Sequence, residues 1–546
     1  MSTALLAALC APLLQSTPCD LNPDLSCGPA THLYACEANH KTMQGTMPMQ
    51  HLGWSLAAPS WDPDGVADVL VGSFIPWDAS ASPSNAPTSA VMYSSTDAAC
   101  CVQAIDFGYK GETDGDRFGW AVASLGDLDC DGADDFAVGA PRGPFDGGMS
   151  PPWRERGRVY IFLSGKTTTQ TPSPNPPTHA SQLTSATDPM HGATVIIQGA
   201  SFGDRFGYSL DGAGNFDGNG NTAFDLVVGA PGGPASPTGY QGRAYVIPGE
   251  QILFYSNNPG MQVDVNTIPG VVTLRGRFGG DRFGFSVAGV GDTNADGKSD
   301  VAIGAPQFLP TGMGENFMGS GSGYVAVIGG PGGMGSTLLL RFGEAFEDRY
   351  GFSVGGGINV DGDTLPRTNE VLVGAPNFDD AGETDNGRVY VLSISGNPLT
   401  ELYSRTGDQD GEGLGWDVQG LGNFNDTGND DFAAGSRYYD SLHCGMGGED
   451  PIPCPPCTTA TNCFNEESDK SMTVGRVYVY EGSDGSVCLT VIGEHFRDSV
   501  GMAIGRIGDV GGTGRDDLLT SALRWNTELV DPPDPVEPGR IYVFTH

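Results

Sequence analysis

Residues 116–141 read DRFGWAVASLGDLDCDGADDFAVGAP, and this stretch decides the fold because its pattern recurs along the chain. The pattern is an aromatic residue followed by glycine, then an acidic glycine-containing loop, then an apolar run that ends near Gly-Ala-Pro. Its copies begin about 75 residues apart. Such internal repetition is typical of proteins built from one supersecondary unit used many times. The residue pairs that mark the seven copies are Leu52-Gly53, Phe118-Gly119, Phe206-Gly207, Phe283-Gly284, Tyr350-Gly351, Leu414-Gly415 and Val500-Gly501.

Each copy contains short apolar runs that predict β-strands. The run 136–139 is bounded by loop residues and Gly-Ala-Pro, and the alternating run 157–162 recurs at 387–392, 475–480 and 539–544. A further candidate strand precedes the next aromatic-glycine pair, as at 271–275. Runs this short fit strands better than helices. Each copy therefore predicts a four-stranded antiparallel sheet, and seven such sheets arranged radially make a propeller.

The two ends of the chain are predicted to meet in one sheet. The chain stops just after the third strand of the seventh unit, and residues 31–50 belong to no complete repeat. We expect those residues to supply the missing strand. The predicted fold is all-β: a seven-bladed β-propeller of four-stranded antiparallel blades, closed by an N-terminal strand, over residues 31–546. Its blades start near residues 52, 118, 206, 283, 350, 414 and 500, and residues 1–30 form a leader or a Cys-rich N-terminal extension.

The acidic loops of the second and fourth blades carry a complete metal-ligand pattern. Oxygen-bearing side chains fill loop positions 1, 3, 5 and 9, and glycine at position 6 permits the sharp turn. Hard oxygen ligands without His or Cys favour Ca²⁺. A strand-like run follows each loop at once, which favours a hairpin loop over an EF-hand. The predicted ligands are Asp127, Asp129, Asp131 and Asp135 in the second blade, and Asp292, Asn294, Asp296 and Asp300 in the fourth.

Three further loops keep part of this pattern, so the predicted number of calcium ions runs from two to five. Insertions in the third and fifth loops displace the last carboxylate. In the sixth loop Thr427 stands where a carboxylate is expected, and in the seventh Gly511 and Thr513 replace ligands. We expect the seventh loop to hold its turn without metal. The partial ligand sets are Ser60, Asp62, Asp64 and Asp68 in the first blade, Asn215, Asp217, Asn219 and Asp225 in the third, and Asn359, Asp361 and Asp363 in the fifth.

The composition is strongly acidic. The 546 residues include 66 acidic and 27 basic residues, which gives a formal net charge of -39. Bound calcium would offset part of this charge. The remaining negative field argues against binding to nucleic acid or to an anionic membrane surface. No apolar stretch is long enough for a transmembrane helix, so no direct membrane span is predicted. The apolar stretch 4–14 resembles the core of a signal peptide but has no preceding basic residue.

Ten of the twelve cysteines are clustered, and Cys130 and Cys488 are isolated. Four lie before residue 40, two are adjacent at Cys100 and Cys101, and four lie between Cys444 and Cys463 in a Cys-rich insertion, residues 440–472. Cysteines in loops rich in Pro and Gly favour disulfides and an oxidising compartment. A structural zinc site is the alternative for the insertion, because Cys454 and Cys457 have a compatible spacing. The favoured localisation is secreted or cell surface.

These motifs resemble the FG-GAP repeats of the integrin α-subunit propeller over nearly the whole chain. The resemblance implies a calcium-binding propeller that acts in protein binding and adhesion, with partners that are other proteins or further copies at the extracellular surface. A structural subunit of a filament or surface layer remains an alternative. So does a carbohydrate-binding or phospholipase-associated propeller. The eight His residues fall in no nucleophile or metal motif, which predicts a non-catalytic protein.

Overall fold

The computed structural model is all-β, with thirty strands and one α-helix among the residues it describes. The helix, α1, spans Gly249–Ser256, and a short 3₁₀ helix follows at Val265–Thr267. Neither described helix is long and apolar enough to cross a membrane. The described residues are 31–34, 40–44, 51–61, 66–73, 89–96, 101–111, 116–143, 156–164, 193–219, 224–232, 241–258, 260–307, 321–330, 337–363, 368–380, 384–394, 400–439, 473–493, 498–510, 512–523 and 539–545.

The strands form seven sheets, numbered here in the order of the sequence repeats. Within each sheet the core of four strands is antiparallel, which confirms the predicted unit and is consistent with a propeller. The strands of sheet 1 are β3 (Leu52–Ala57), β4 (Val69–Ser73), β5 (Ser89–Thr96) and β6 (Cys101–Lys110). Those of sheet 2 are β7 (Ala121–Gly126), β8 (Asp135–Ala140), β9 (Arg158–Phe162) and β10 (Val195–Gln198), with a fifth strand, β14 (Met261–Asp264). Those of sheet 3 are β11 (Ser209–Gly214), β12 (Asp225–Ala230), β13 (Arg243–Ile247) and β15 (Val272–Arg275).

The remaining sheets follow the same order. Sheet 4 contains β16 (Ser286–Gly291), β17 (Asp300–Ala305), β18 (Tyr324–Ile328) and β19 (Thr337–Phe342). Sheet 5 contains β20 (Ser353–Ile358), β21 (Glu370–Ala375), β22 (Arg388–Ser393) and β23 (Thr400–Thr406). Sheet 6 contains β24 (Leu414–Gly422), β25 (Asp431–Ser436), β26 (Arg476–Tyr480) and β27 (Val487–Ile492), with a fifth strand, β1 (Thr31–Tyr34). Sheet 7 contains β28 (Val500–Gly508), β29 (Asp517–Ala522), β30 (Arg540–Phe544) and, paired antiparallel with β30, the N-terminal strand β2 (His40–Gln44).

The apolar core is divided among the interfaces between consecutive sheets. Phe118 of sheet 2 packs in one cluster with Leu70 and Met92 of sheet 1. At the other end of the series, Ile541 of sheet 7 packs in one cluster with Leu52 of sheet 1. The second strand of each sheet is buried along its whole length, because both of its faces pack against neighbouring sheets.

Hydrogen bonds tie the first strands of successive sheets together. In four sheets a serine that follows the aromatic-glycine pair donates its Oγ hydrogen to a glycine carbonyl of the next sheet. In sheet 6, Asp417 takes the place of this serine and accepts the Ile504 N–H of sheet 7, with a distance of 2.8 Å. The serine bonds are Ser55 to Gly119 (3.1 Å), Ser209 to Gly284 (3.1 Å), Ser286 to Gly351 (3.0 Å) and Ser353 to Gly415 (2.9 Å).

Two segments cross from one sheet to its neighbour. Residues 249–267, inserted between the third and fourth strands of sheet 3, contain α1 and place β14 in parallel beside β10 of sheet 2. We call them the crossover segment. Near the N-terminus, β1 pairs in parallel with β27 of sheet 6, whereas β2 pairs with sheet 7. The sequence predicted neither α1 nor the parallel strands. Cys488 in β27 is disulfide-bonded, and Cys130 is a free, exposed cysteine.

Candidate metal centre

The acidic loop of every sheet connects its first strand to its second strand and ends on a buried carboxylate. This carboxylate, at position 9 in the unexpanded loops, is the first residue of the second strand in six of the seven sheets and lies immediately before it in sheet 1. It accepts the backbone N–H of loop position 2 in five sheets and of loop position 3 in sheets 3 and 6. These bonds join Asp68 to Trp61 (3.1 Å), Asp135 to Leu128 (2.9 Å), Asp225 to Asp217 (2.9 Å), Asp300 to Thr293 (2.9 Å), Glu370 to Val360 (2.9 Å), Asp431 to Asn425 (3.0 Å) and Asp517 to Val510 (2.8 Å).

The second oxygen of this carboxylate reaches the end of the third strand in several sheets. Asp135 accepts the Ser164 N–H at 2.7 Å, and Asp300 accepts the Gly330 N–H at 3.2 Å. Burial raises the pKa of Asp135 to about 7, and the Asp129 carboxylate adds to the rise. Burial likewise raises the pKa of Glu370 to about 8. The terminal carboxylate therefore holds three chain segments together, a role that its place in the ligand pattern did not reveal.

Position 1 closes the turn by accepting backbone N–H groups. In sheet 2, the Asp127 oxygens accept the N–H groups of Asp131 (2.9 Å) and Gly132 (3.0 Å). In sheet 4, Asp292 accepts those of Asp296 and Gly297 at 3.2 and 2.8 Å. The same side-chain cap occurs in sheet 7, where Asp509 accepts the Thr513 and Gly514 N–H groups at 2.8 and 2.6 Å.

Positions 1, 3 and 5 of the sheet 2 loop bring three carboxylates together. The oxygens of Asp127, Asp129 and Asp131 lie within 4.8 Å of one another, and no other group of three acidic, His or Cys side chains in the described ranges meets this criterion. Asp135 lies outside the trio. In sheet 4 an amide replaces the middle carboxylate, and Asn294 Oδ1 accepts the Asp296 N–H at 2.8 Å. These oxygen-only donor sets fit Ca²⁺, which takes six to eight oxygen ligands at about 2.3–2.6 Å.

The partial loops differ in how their predicted ligands are placed. In sheet 1, Ser60 donates its hydroxyl to the Val66 carbonyl at 3.2 Å, and the predicted ligands Asp62 and Asp64 lie outside the described residues. In sheet 3, Asn219 bonds to Asp217 at 2.8 Å and to Glu250 of α1 at 3.3 Å. Glu250 was missed from the sequence, because it comes from the crossover segment rather than from the loop.

In sheets 3 and 5, the asparagine at position 1 supports the cation prediction. The Oδ1 atoms of Asn215 and Asn359, like that of Asn423 at position 1 of the sheet 6 loop, are buried and make no hydrogen bond to any described residue. A buried carbonyl oxygen without a donor favours a bound cation or water there. In sheet 5, Asp363 instead bonds to the Thr368 N–H at 3.0 Å, and Asp361 accepts the Asp363 N–H at 3.1 Å.

The sheet 6 loop contains a hydrogen-bond network in place of the carboxylate pattern. Asn425 donates its amide hydrogens to Asp431 (3.1 Å) and to Glu481, which follows the third strand. The Thr427 hydroxyl lies 2.6 Å from Asn425 Oδ1 and 2.7 Å from Glu481 Oε1, and its single hydrogen is shared between these two acceptors. Amide and hydroxyl hydrogens are thus donated to the local carboxylates, in a loop in which threonine replaces a metal ligand.

Neighbouring acidic loops are also joined to one another. The residue just before the terminal carboxylate donates its N–H to the position 1 carbonyl of the preceding sheet's loop. These bonds run from Asp134 to Ser60 (2.6 Å), Ser299 to Asn215 (3.2 Å), Asn369 to Asp292 (3.0 Å), Asp430 to Asn359 (3.1 Å) and Asp516 to Asn423 (3.4 Å). Among the described residues, these bonds connect the loops of sheets 1 and 2, and those of sheets 3 to 7, into a belt at one end of the first strands.

A ring of aromatic side chains lies at the opposite end of the first strands. The residue after each aromatic-glycine pair is Trp, Tyr or Phe in sheets 1 to 6 and Met502 in sheet 7, and all are half-buried. They surround a cavity of about 590 Å³. The ring centroids follow one another at 4.6 Å (Trp54–Trp120), 5.3 Å (Trp120–Tyr208), 5.2 Å (Tyr208–Phe285), 5.0 Å (Phe285–Phe352) and 4.7 Å (Phe352–Trp416).

Each repeat combines an aromatic-glycine pair, an acidic loop and an apolar strand. This combination is the unit that a known family model matches. The family model for the FG-GAP repeat matches residues 118–162 and 283–328. The chain contains FG-GAP repeats. The two matched segments are those of sheets 2 and 4, where the acidic ligand pattern is complete.

The FG-GAP repeats of this chain are similar to those of integrin α subunits. Integrin alpha-PS2 of Drosophila melanogaster is 30% identical over 184 residues, which cover 34% of this chain and 12% of that protein. Integrin alpha pat-2 of Caenorhabditis briggsae is 28% identical over 279 residues, covering 50% and 18%. The phosphatidylinositol-glycan-specific phospholipase D of Dictyostelium discoideum is 25% identical over 314 residues, covering 55% and 30%. The chain thus spans less than a third of the length of each of these relatives.

Proposed function

We propose that this chain is a closed, seven-bladed, calcium-stabilised β-propeller that acts outside the cell as a non-catalytic, adhesion-type protein-binding module. The similarity of its FG-GAP repeats to integrin α subunits carries the adhesion role. Residues 31–546 would form the propeller, and its partners would be other proteins or further copies of the chain.

Contacts between the first and last sheets support closure of the ring. The cluster that contains Leu52, Val69 and Ile541 joins sheets 7 and 1 in the same way as the other clusters join consecutive sheets. The pairing of β2 with β30 puts N-terminal and C-terminal segments in one sheet. A closed ring of blades leaves only short, protected sheet edges, and this limits aggregation through unpaired strands.

Calcium has the best support in sheets 2 and 4 and weaker support in sheets 1, 3 and 5. The carboxylate trio Asp127, Asp129 and Asp131 is the observation that carries the metal proposal. When bound, calcium would neutralise these charges and link residues of one loop. Since the loops are connected into a belt, we infer that the ion stabilises the ring and is not a catalyst.

Calcium-dependent stability tests the structural half of this proposal. We expect chelation with EGTA to lower the Tm of the full chain, and re-addition of calcium, but not of equimolar magnesium, to restore it. Calcium at a hundred times its Kd contributes about 2.7 kcal/mol per site. Elemental analysis of undialysed protein should find at least two calcium ions per chain. An unchanged Tm together with no bound calcium would reject the metal proposal.

An adhesion assay tests the functional half. Surfaces coated with the full chain should retain cells of the source organism in calcium and release them in EGTA. Heat-denatured protein at the same coating density is the control. Equal retention on native and denatured coatings would contradict an adhesion role.

The similarity to a phospholipase D supports one alternative, a propeller that accompanies a lipid-cleaving enzyme. Hydrolysis of a glycosylphosphatidylinositol substrate by the purified chain would favour that alternative and reject a purely binding role. We place the enzyme second because the eight His residues fall in no nucleophile or metal motif and the aligned segment covers 30% of that relative.

A further inference from the structure

The residue before the aromatic-glycine pair is arginine in four consecutive sheets. These residues are Arg117, Arg205, Arg282 and Arg349, in sheets 2 to 5. Sheet 6 has Gly413 at this position, but Arg437 lies over the Trp416 ring with its Cζ 4.7 Å from the centroid. We call these five arginines the arginine rim. They stand at the aromatic end of the first strands, opposite the acidic loops.

The backbone of these arginines is in a conformation that favours glycine. Their φ angles are 61°, 56°, 57° and 55° in chain order, whereas Gly413 has a φ of 70°. Residues with a Cβ are strained in this left-handed region, and glycine would relieve the strain. Four consecutive sheets nevertheless carry arginine, which points to a role for the side chain beyond local folding.

In sheets 3 to 5, the acids that precede the rim arginines do not form ion pairs with them. Asp116, Asp204 and Asp281 are almost fully buried and accept N–H groups of the loop, as in the 3.0 Å bond from Phe118 to Asp116. The ion pair of Asp204 is with Arg243 of the third strand, at 3.6 Å. The Asp-Arg-Phe-Gly motif therefore separates an inward-facing acid from the arginine that follows it.

Three rim arginines keep their guanidinium groups available. Within the residues that the structure describes, the side chains of Arg205, Arg282 and Arg349 make no hydrogen bond or ion pair, although acidic residues outnumber basic ones by 66 to 27. Burial lowers the pKa of Arg282 from its ordinary value, and the neighbouring Arg205 and Arg349 add to the fall. Adjacent cations that repel one another would be stabilised by an anion placed between them.

We propose that the arginine rim and the aromatic ring bind an acidic segment of a partner polypeptide, with glutamate or aspartate carboxylates paired to the guanidinium groups. This inference rests on the proposed protein-binding role and specifies the chemistry of the partner. All five cations are arginine, and the planar guanidinium group matches a carboxylate with two parallel hydrogen bonds. The rim is a local basic patch on a chain of net charge -39, so the patch would also orient an acidic partner during encounter.

The aromatic ring favours a polypeptide over a sulfated polysaccharide. Trp120 and its neighbours present apolar rings beside the arginines, with the Arg117 Cζ 4.5 Å from the Trp120 centroid. Apolar side chains that flank the acidic residues of a peptide can pack on these rings. The cavity beneath the ring has about 590 Å³, within the range of roughly 300–1,000 Å³ that is usual for ligand sites.

The test uses the full chain in calcium and a fluorescein-labelled decapeptide of alternating glutamate and leucine. The test variant is Arg205→Gln/Arg282→Gln/Arg349→Gln. The matched control, Lys298→Gln/Arg506→Gln/Arg515→Gln, removes the same charge at the acidic-loop end. Loss of charge-assisted hydrogen bonds should weaken peptide binding by more than about tenfold in the test variant and by less than about twofold in the control. A peptide with glutamine in place of glutamate should not bind.

If the triple glutamine variant does not fold, two milder variants take its place. One is Arg205→Gln, at an exposed residue, and the other is Arg205→Lys/Arg282→Lys/Arg349→Lys. Both should weaken binding at an unchanged Tm. Equal binding of the glutamate and glutamine peptides, or equal binding by test variant and control, overturns the proposal. Tighter binding of heparin than of peptide, lost in the test variant, also overturns it in favour of a glycan site. Calcium-dependent stability without peptide binding would reject this inference alone, whereas peptide binding without calcium dependence would reject the metal proposal alone.

Discussion

The acidic loops of sheets 2 and 7 share their scaffold and differ at the centre. In both, the position 1 aspartate closes the turn and the position 9 aspartate accepts the N–H of position 2. Only the sheet 2 loop adds carboxylates at positions 3 and 5, where sheet 7 has Gly511 and Thr513. The comparison teaches that positions 1 and 9 serve the fold in both loops and that positions 3 and 5 distinguish the proposed metal loop from a plain turn.

Removal of the position 9 carboxylate should have the largest effect and should be similar in the two loops. Asp135→Ala and Asp517→Ala each leave buried N–H groups without an acceptor, at about 1–3 kcal/mol per group. We expect each to lower the free energy of unfolding by about 2–4 kcal/mol in denaturant titrations, with or without calcium. The control Gln262→Ala, at an exposed residue of β14, should change it by less than about 0.5 kcal/mol. If Asp517→Ala behaves like the control, position 9 acts through the cation instead.

Exchange of positions 3 and 5 should move a calcium site from one loop to the other. Asp129→Gly/Asp131→Thr should remove one calcium ion per chain, and Gly511→Asp/Thr513→Asp should add one, as measured by elemental analysis after gel filtration. The corresponding change in calcium-dependent stability is about 2–3 kcal/mol at saturating calcium. A sheet 7 graft that binds no additional calcium would show that positions 1, 3, 5 and 9 are insufficient.

Glycine at position 6 should matter equally in the two loops, because its role is conformational. Gly132 and Gly514 have φ angles of 97° and 83°, and a Cβ at either residue would meet no atom within 4 Å. Alanine at each position should therefore destabilise only through backbone strain, by about 1–2 kcal/mol. A much larger loss in Gly132→Ala than in Gly514→Ala would indicate that the cation requires this turn geometry. Chemical denaturation in EGTA and in calcium separates the two cases.

The smallest expected effect lies away from the loops, at Asp417. Burial raises the pKa of Asp417 to about 7, so the protonated form is favoured in the folded state. A group with a raised folded-state pKa stabilises fully below its unfolded pKa of about 4, and this contribution is lost as the pH rises towards 7. Asp417→Ser introduces the residue found at this position in four other sheets. We expect the Tm of the variant relative to wild type to rise between pH 5 and pH 8. A constant difference would contradict the assignment.

The repeating strands could be predicted because each strand is specified by a short run of neighbouring residues. Runs such as Arg158–Phe162 are apolar, bounded by glycine and repeated, and the structure has a strand there. The carboxylate trio was predictable for the same reason, since Asp127, Asp129 and Asp131 are separated by single residues. The second role of Asp135 depends on the Ser164 N–H, which is 29 residues away in the sequence. The contact of Glu250 with Asn219 depends on α1, which has no counterpart in the other described repeats. The repeat pattern therefore could not predict this contact.

The crossover segment has a mechanical consequence. The interface between sheets 2 and 3 lacks the serine bond, since sheet 2 has Ala121 at that position. There the chain instead lays β14 beside β10, and Arg156 of sheet 2 pairs with Asp264 at 3.5 Å. At sheets 6 and 7, β1 and β2 are bound to adjacent sheets in a comparable way. A pulling force on either interface would have to shear a whole row of backbone hydrogen bonds at once, where a simple stack of blades would peel apart bond by bond.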